Sequence, residues 1–153
     1  MQTVKTILLN KGAGILTIAP DATVFEAIKL MSEKNVGGLV VIDNEKLVGI
    51  ITERDYTRKV ILEGRSSKET LVKEIMTEKV LTVKPDNTKE ECMSIMMEKH
   101  VSHLPVIEND RIIGMVTIGD VVRAIMKEQH FTIDDLQSDR NLRNLVFRAF
   151  DRI

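Results

Sequence analysis

The sequence predicts an α+β fold: two tandem copies of one β-α-β-β-α unit, packed sheet to sheet about a pseudo-twofold axis, followed by a C-terminal helical tail. The first supporting observation is an internal repeat, because a shift of 65 positions aligns residues 16–60 with 81–125 without a gap and with roughly 40% identity. The second is that the apolar residues of each copy follow a helical period and then form two short extended runs. The third is size, since a copy of about 65 residues buries little apolar surface alone and is expected to share one core with its twin.

Each copy opens with a short extended segment that ends at a proline-aspartate pair, Pro20-Asp21 or Pro85-Asp86. A capping sequence follows at residues 23–26 and 88–91, where Thr precedes a helix and Glu stands three residues later. The helix then carries its apolar residues at i, i+3, i+4 and i+7, which predicts one face packed on a core. In the first copy these residues are Val24, Ala27, Ile28 and Met31, and in the second the stripe contains Cys92, Met93 and Met96.

A β-hairpin is predicted after each of these helices. In the first copy the apolar runs 39–42 and 47–51 flank a polar turn, and the second copy repeats the pattern around residues 108–111. Another helix begins directly after each hairpin, with Thr52 or Thr117 as its N-cap.

The repeat defines the predicted domains: a first repeat at 1–66, a second repeat at 67–130, and a tail at 131–153 that has no counterpart in either copy. Apolar residues at helical spacing predict that the tail is a docking helix. We expect it to cover this chain's own core or a dimer interface, with a separate partner protein as the alternative.

The composition argues against several classes of protein. The net charge is −1 and aromatic residues are 3%, so the chain has neither a bulk attraction for nucleic acid nor a series of stacking platforms. The single Cys92 leaves no intramolecular disulfide and no all-cysteine metal site. The apolar runs are far shorter than the roughly 20 residues of a membrane span, and Asn10-Lys11-Gly12 interrupts the N-terminal one before it could form a secretory signal. We expect a cytoplasmic protein that does not enter membranes and does not bind nucleic acid as its main role.

A duplicated signature, Gly-h-h-Thr-x-x-Asp with h apolar, lies at residues 49–55 and 114–120, where a strand gives way to a helix. Free backbone N–H groups at a helix N-terminus favour phosphate, and a threonine hydroxyl can donate to a phosphate oxygen. The aspartate repels phosphate but suits the two neighbouring hydroxyls of a ribose. The pattern therefore indicates a nucleotide site at each junction, and the alternative is that both aspartates are only helix caps.

Together, the two signatures, the repeated Pro-Asp-x-Thr, the Glu-Ile-Met-Thr-x-x-Val run at 74–80 and the His-Leu-Pro-Val run at 103–106 resemble the paired cystathionine-β-synthase (CBS) domains, or Bateman modules. The resemblance covers roughly residues 4–127 and is narrowest to small stand-alone bacterial CBS-pair proteins. It implies adenosine-ligand binding in clefts between the repeats, with AMP, ADP, ATP, S-adenosylmethionine or NAD(H) as ligand classes. It also implies a flat homodimer and no catalytic activity.

Carried over by position, the resemblance implies that Asp55 and Asp120 hold ribose hydroxyls and that Thr52 and Thr117 meet phosphate. Adenine would lie against the segments before and within the first hairpin strand, and residues at the starts of the repeats would close the opposite side. The expected ligand-binding residues are Thr17, Ile18, Val36, Gly37, Gly38, Leu39, Thr52, Arg54, Asp55, Arg58, Lys59, Val80, Thr82, Val101, Ser102, His103, Leu104, Pro105, Thr117 and Asp120.

The two expected sites differ in charge and shape. The second copy has Gly119, Arg123 and Ala124 where the first has Arg54, Arg58 and Lys59, which predicts a less basic and roomier second helix start. In the first copy Val40 stands where the family usually has proline, and Gly37-Gly38 replace Ser102-His103. We expect the extra room beside these glycines to suit a longer ligand such as NAD.

A metal site and a nucleophilic enzyme are both less well supported by the sequence than a ligand-binding module. His100 and His103 are spaced as a metal pair but lack a convincing third ligand, and Cys92 aligns with Ala27 on an apolar stripe rather than in a nucleophilic site. We therefore predict no catalytic residue, no metal site and no catalytic cofactor. The expected function is a regulatory sensor of energy or redox state that signals to a partner, and the alternative is a dimerisation or scaffold module that needs no ligand.

Overall fold

The secondary structure contains the predicted long helices and hairpins, together with two helices, at 4–11 and 72–75, that the sequence analysis did not predict. A computed structural model describes residues 2–12 and 14–128, so the predicted tail at 131–153 lies outside the described residues. In chain order the elements are α1 (Val4–Lys11), β1 (Thr17–Ile18), α2 (Val24–Lys34), β2 (Gly38–Asp43), β3 (Lys46–Thr52), α3 (Glu53–Tyr56) continued by a π-helical turn (Thr57–Ile61), α4 (Val72–Ile75), α5 (Lys89–Lys99), β4 (His103–Glu108), β5 (Arg111–Thr117) and α6 (Ile118–Glu128). The α+β class is confirmed.

The described residues divide into two compact units, each with its own core of buried side chains. The first-repeat unit contains Gly14–Leu81 and Asp110–Ile112, and the second-repeat unit contains the remaining described residues. Each core includes residues of a further helix, Val4 and Ile7 in the second-repeat unit and Val72 and Ile75 in the first-repeat unit.

That further helix comes in each unit from the segment that precedes the other repeat. In the second-repeat unit the N–H of Val4, at the start of α1, donates to the carbonyl of Asn87 at 2.8 Å. In the first-repeat unit the N–H of Val72, at the start of α4, donates to the carbonyl of Ala22 at 2.8 Å. Ala22 and Asn87 are equivalent positions of the two copies, so the exchange is symmetric. We call α1 and α4 the leading helices. The predicted repeat boundaries divide the sequence and not the compact units, and they stay predictions.

The sheets differ between the units because of one residue. In the first-repeat unit β1 runs parallel to β2, which pairs antiparallel with β3, and the N–H of Val40 donates to the carbonyl of Leu16. The equivalent residue in the second-repeat unit is Pro105, which has no N–H to donate. There the parallel pairing shrinks to a single bridge between Val83 and Val106 beside the β4-β5 hairpin.

Both hairpins turn in the way that right-handed strand twist prefers. The two central turn residues have positive φ in each copy: 49° and 65° at Asn44 and Glu45, and 53° and 61° at Asn109 and Asp110. Positive φ at both central positions is the type I′ turn, which keeps the strands paired without splaying them. The predicted hairpins are confirmed.

The predicted core faces of α2 and α5 are also confirmed. Val24, Ala27 and Met31 pack in the core of the first-repeat unit, and Cys92 and Met96 pack in that of the second. Each helix begins at its predicted threonine cap, Thr23 or Thr88. This packing fixes the hairpins and therefore the strand ends at which the candidate sites lie.

Candidate functional site

The first candidate site is the junction of β3 and α3, where a threonine and an aspartate cap each other. The backbone N–H of Asp55 donates to Thr52 Oγ1 at 3.3 Å, and the backbone N–H of Thr52 donates to Asp55 Oδ2 at 3.0 Å. Asp55 is only 8% exposed, which holds its carboxylate in one orientation at the strand end. Asp55 therefore caps the helix in this unit, as one interpretation of the signature expects. Its carboxylate is also held in a position from which it can accept further hydrogen bonds.

A lysine one turn along the same helix balances the charge of Asp55. Lys59 Nζ lies 3.1 Å from Asp55 Oδ1 and donates to the carbonyl of Ile75, in α4, at 2.9 Å. The lysine thus connects the carboxylate to the leading helix of its unit. Arg54 and Arg58, also predicted for this site, are exposed on the same helical segment.

The second candidate site repeats this arrangement where β5 meets α6. The backbone N–H of Asp120 donates to Thr117 Oγ1 at 3.2 Å, and that of Thr117 donates to Asp120 Oδ2 at 2.9 Å. Asp120 is 6% exposed and receives two cations: Arg123 Nη2 lies 2.6 Å from Oδ1, and Lys11 Nζ lies 2.9 Å from Oδ2. Both oxygens of this buried carboxylate therefore accept charge-assisted hydrogen bonds.

These contacts decide the ionisation of Asp120. Burial raises the pKa of its carboxyl, but the hydrogen bonds from Lys11 and from the N–H of Thr117, with the positive charge of Lys11, more than offset burial. The net effect is a pKa below the ordinary value of an aspartate, so the group is an anionic acceptor at neutral pH.

In the second-repeat unit Lys11 takes the place beside the aspartate that Lys59 has in the first-repeat unit. Ala124 aligns with Lys59, which predicts that Asp120 has no lysine beside it, yet Lys11 reaches the carboxylate from the last turn of α1. The second helix start is therefore more basic than the alignment with Ala124 suggests.

Sequence reasoning missed Lys11, although a signal was present. The Val-Lys-x-Ile pattern of α1 at 4–7 recurs in α4 at 72–75 with an offset of 68, whereas the rest of the repeat has an offset of 65. The first copy thus has three extra residues after this pattern, and α1 is eight residues long where α4 has four. The additional turn carries Lys11 onto Asp120.

The segments predicted to contact adenine lie beside the same helix starts. The N–H of Glu53 donates to the carbonyl of Gly37 at 3.0 Å, and at the equivalent place the N–H of Ile118 donates to the carbonyl of Ser102 at 2.9 Å. These hydrogen bonds bring each predicted adenine segment next to the aspartate of its own unit. The side chains of Leu39 and Leu104 are fully buried in the cores, so these two residues offer only their backbone to a ligand.

The remaining predicted residues lie in or beside the short parallel pairings. Thr17 and Ile18 pair with β2, and Val80 and Thr82 lie between α4 and the bridge residue Val83. None of these four side chains is charged, so their expected part in a site is to supply apolar surface from Ile18 and Val80, the hydroxyls of Thr17 and Thr82, and backbone groups.

The metal and nucleophile alternatives gain no support from the described residues. His103 Nδ1 lies 2.9 Å from Ser102 Oγ, and no group of three or more His, Cys, Asp or Glu side chains placed to hold a metal ion is found within 2–12 and 14–128. Cys92 is buried, and burial raises the pKa of its thiol to about 11, which keeps it protonated and unreactive at neutral pH. Among the described helices, none has the length and apolar character to cross a membrane.

Comparison with known proteins places these features in a family. A family model for the CBS domain matches residues 9–61 and 72–127. The chain is 43% identical over 145 residues to the CBS domain-containing protein CBSX3, mitochondrial, of Arabidopsis thaliana, covering 89% of this chain and 70% of that protein.

Two solved structures with similar folds contain adenosyl ligands. The CBS domain pair of protein MJ0100, in complex with 5′-methylthioadenosine and S-adenosyl-L-methionine, matches with a TM-score of 0.74 and 28% identity over 84% of this chain and 98% of that one. CBSX2 in complex with AMP matches with a TM-score of 0.70 and 28% identity over 84% and 99%. On the family match to both repeats and the similarity to CBSX3, this chain belongs to the CBS domain family, as a tandem CBS pair.

Proposed function

We propose that this chain is a regulatory, non-catalytic CBS pair that binds an adenosyl ligand at the Thr52–Asp55 and Thr117–Asp120 junctions. One observation carries the proposal: the same buried, negatively charged aspartate is held at the same strand-to-helix junction in both units. A reciprocal helix cap uses one oxygen of each carboxylate, but it does not need the group to be buried, since Glu26 makes the same cap at α2 from an exposed position. A buried carboxylate at both junctions therefore favours recognition of donors from outside the chain.

Ribose hydroxyls are the donors that fit this arrangement best. An ionised carboxylate offers about four acceptor positions and cannot donate, so it pairs with neutral hydroxyls and repels phosphate. The positive groups beside each aspartate, Lys59 in one unit and Lys11 with Arg123 in the other, lie where a phosphate attached to the same ribose would be balanced. AMP in complex with CBSX2 and the adenosyl compounds in complex with MJ0100 support an adenosyl ligand class for this chain.

The finer features of the function follow the sequence-based prediction. We propose AMP, ADP, ATP or NAD(H) as the signal, a homodimer as the working state, the cytoplasm as its location and an unidentified protein as the receiver. A ligand shifts the state of such a protein only as far as it binds one arrangement more tightly than the other. The dimer, the location and the receiving partner stay predictions.

A ligand screen with two variants tests the binding proposal. Asp55→Ala and Asp120→Ala remove hydrogen bonds to a charged group and should each weaken one site roughly 10- to 100-fold. Each change also removes part of a helix cap, so Glu26→Ala is the matched control: Glu26 Oε2 accepts from the N–H of Thr23 in the equivalent reciprocal cap at the start of a different helix, α2.

The readout is the rise in melting temperature with AMP, ADP, ATP, NAD, NADH and S-adenosylmethionine, after mass spectrometry has shown whether a nucleotide co-purifies. The proposal is supported if some of these ligands raise the melting temperature, if the increase is unchanged in Glu26→Ala, and if it is smaller in both aspartate variants. No rise with any ligand, in protein shown to be empty, contradicts it.

The second candidate is a dimerisation or scaffold module without a ligand. The observation that favours it is the satisfied reciprocal cap at both junctions, which gives Asp55 and Asp120 a structural role without any other partner. The two candidates separate on the same screen, because a scaffold keeps its melting temperature with every adenosyl compound.

A further inference from the structure

We propose that Lys11 is a specificity-determining residue of the Asp120 site, and that its ammonium group makes this site prefer an adenosyl ligand carrying a phosphate over a neutral adenosyl ligand. The inference rests on the proposed function and extends it by naming the chemical class of ligand that one of the two sites selects. It starts from an ion pair between residues 109 positions apart in the chain.

Lys11 lies where it can reach both the carboxylate and a ligand. Its Nζ donates to Asp120 Oδ2 at 2.9 Å and to the backbone carbonyl of Met115 at 2.9 Å. Its side chain is 41% exposed, whereas that of Asp120 is 4% exposed. The ammonium group therefore borders the buried carboxylate on one side and the open surface on the other.

The repeat provides an internal comparison for this contact. In the first-repeat unit Lys59 Nζ contacts Asp55 and also donates to a backbone carbonyl, that of Ile75. In the second-repeat unit the aligned residue is Ala124, and a lysine from the leading helix makes both kinds of contact instead. Both aspartates thus have a lysine ammonium group beside them, although the two lysines come from different helices. This recurrence indicates that a positive charge beside the aspartate has a role at both sites.

Binding of a ribose at Asp120 disturbs this ion pair. Of the roughly four acceptor positions of the carboxylate, at least three are occupied, by Lys11, Arg123 and the N–H of Thr117. Two ribose hydroxyls need two positions, so one of the present donors gives way. Arg123 lies on the same helix as Asp120, three residues along, and Thr117 N–H belongs to the cap, whereas Lys11 has a second acceptor to keep, the Met115 carbonyl. Lys11 can therefore leave the carboxylate and stay at the site through its second acceptor.

The charge of the ligand then decides the outcome. Lys11 and Arg123 each carry a positive charge and Asp120 one negative charge, so the group as a whole is positive. A phosphate on the bound ribose gives the displaced ammonium a new anionic partner, and a neutral adenosyl ligand gives it none. The similar solved structures contain ligands of both kinds, AMP in CBSX2 and 5′-methylthioadenosine in MJ0100, so the preference is not fixed by the fold.

The test compares AMP with adenosine, which differ only in the phosphate, by isothermal titration calorimetry on the full chain carrying Asp55→Ala, so that the Asp120 site reports. With Lys11→Met, which keeps the length of the side chain and removes its charge, AMP affinity should fall about tenfold while adenosine affinity stays equal or rises. Lys11→Arg should retain the preference for AMP. Equal losses for both ligands, or no loss for AMP, would overturn the proposal.

A second measurement needs no change at Lys11 and remains informative if Lys11→Met does not fold. In the Asp55→Ala chain, AMP affinity should fall as salt rises from about 0.05 to 0.5 M, while adenosine affinity stays constant, because screening weakens only the interaction of charges. The same salt dependence for both ligands would contradict the proposal. If neither AMP nor adenosine binds the unaltered chain, the proposed function itself fails, whereas binding of both without regard to charge defeats only the role of Lys11.

Discussion

Gly49 and Gly114 occupy the same position in the two copies, and replacing each by alanine tests the packing of α1 in one unit and of the residues that follow α4 in the other. Neither glycine has positive φ, so alanine fits the backbone at both positions. A Cβ at Gly49 would lie 2.6 Å from Met76 Sδ and 3.0 Å from the backbone carbonyl oxygen of Thr77. A Cβ at Gly114 would lie 2.8 Å from a methyl group of Leu8, and its three nearest atoms all belong to that side chain.

The expected cost follows from which neighbour is able to move. The Thr77 carbonyl accepts from the N–H of Ile50 at 3.0 Å, in a two-way bridge, so it cannot retreat from a new Cβ without loss of hydrogen bonds. The Leu8 methyls at Gly114 are the end of a flexible side chain. Overpacking of a fixed site costs about 1–3 kcal/mol, against a gain of about 0.4–1 kcal/mol from the stiffer unfolded chain. We expect Gly49→Ala to lower the free energy of unfolding by about 1–2 kcal/mol and Gly114→Ala to change it by less than about 1 kcal/mol.

Urea unfolding of the two variants and of the unaltered chain measures these changes in the free energy of unfolding. The comparison requires that the dependence of this free energy on urea concentration is the same in all three proteins. In a thermal scan the loss at Gly49 corresponds to roughly 2–4 °C per kcal/mol for a chain of this size. If Gly114→Ala proved as destabilising as Gly49→Ala, or more so, the fixed position of the Thr77 carbonyl would not be the cause and the reasoning would be wrong.

Two further predictions concern titratable groups. Cys92, buried and with its pKa raised to about 11, should react with a thiol reagent at pH 8 only after unfolding; labelling of the native protein at the rate of a free thiol would contradict its burial. Because the pKa of Asp120 is lowered in the folded protein, its ionised form stabilises the fold above the unfolded value of about 3.9, and this contribution disappears as the pH falls below that value through the folded pKa. Lys11→Met should therefore raise the pKa of Asp120 in an NMR titration of its carboxyl carbon, and an unchanged pKa would show that Lys11 does not govern it.

Local sequence patterns predicted most of the fold because each depends on neighbours in the chain. The caps at Thr23 and Thr88 and the reciprocal pairs at the two junctions join residues three apart, and such contacts form wherever the helix forms. The hairpins follow from polar turns between apolar runs. The prediction that both signatures lie at strand-to-helix junctions was correct for this reason.

The features that sequence analysis missed depend on distant contacts. The exchange of the leading helices and the pairing of Lys11 with Asp120 join segments that lie far apart in the sequence. Lys89 is a further residue whose position the sequence pattern does not explain, because it aligns with the core residue Val24 and is itself buried. Its ammonium group forms ion pairs with Glu90 and with Glu128, at the C-terminal end of α6. A charged residue at a core position is explained only when its partners are known.

The most direct test of the central claim, that both Thr-x-x-Asp junctions bind an adenosyl ligand, is calorimetric titration of AMP into the nucleotide-free chain and into Asp55→Ala, Asp120→Ala and the double variant. Two binding sites are expected in the unaltered chain, with one of them weakened roughly 10- to 100-fold in each single variant and both weakened in the double variant, all four proteins being folded by circular dichroism. AMP binding of undiminished affinity in the folded double variant would contradict the claim, since the ligand would then be held by residues other than the two aspartates.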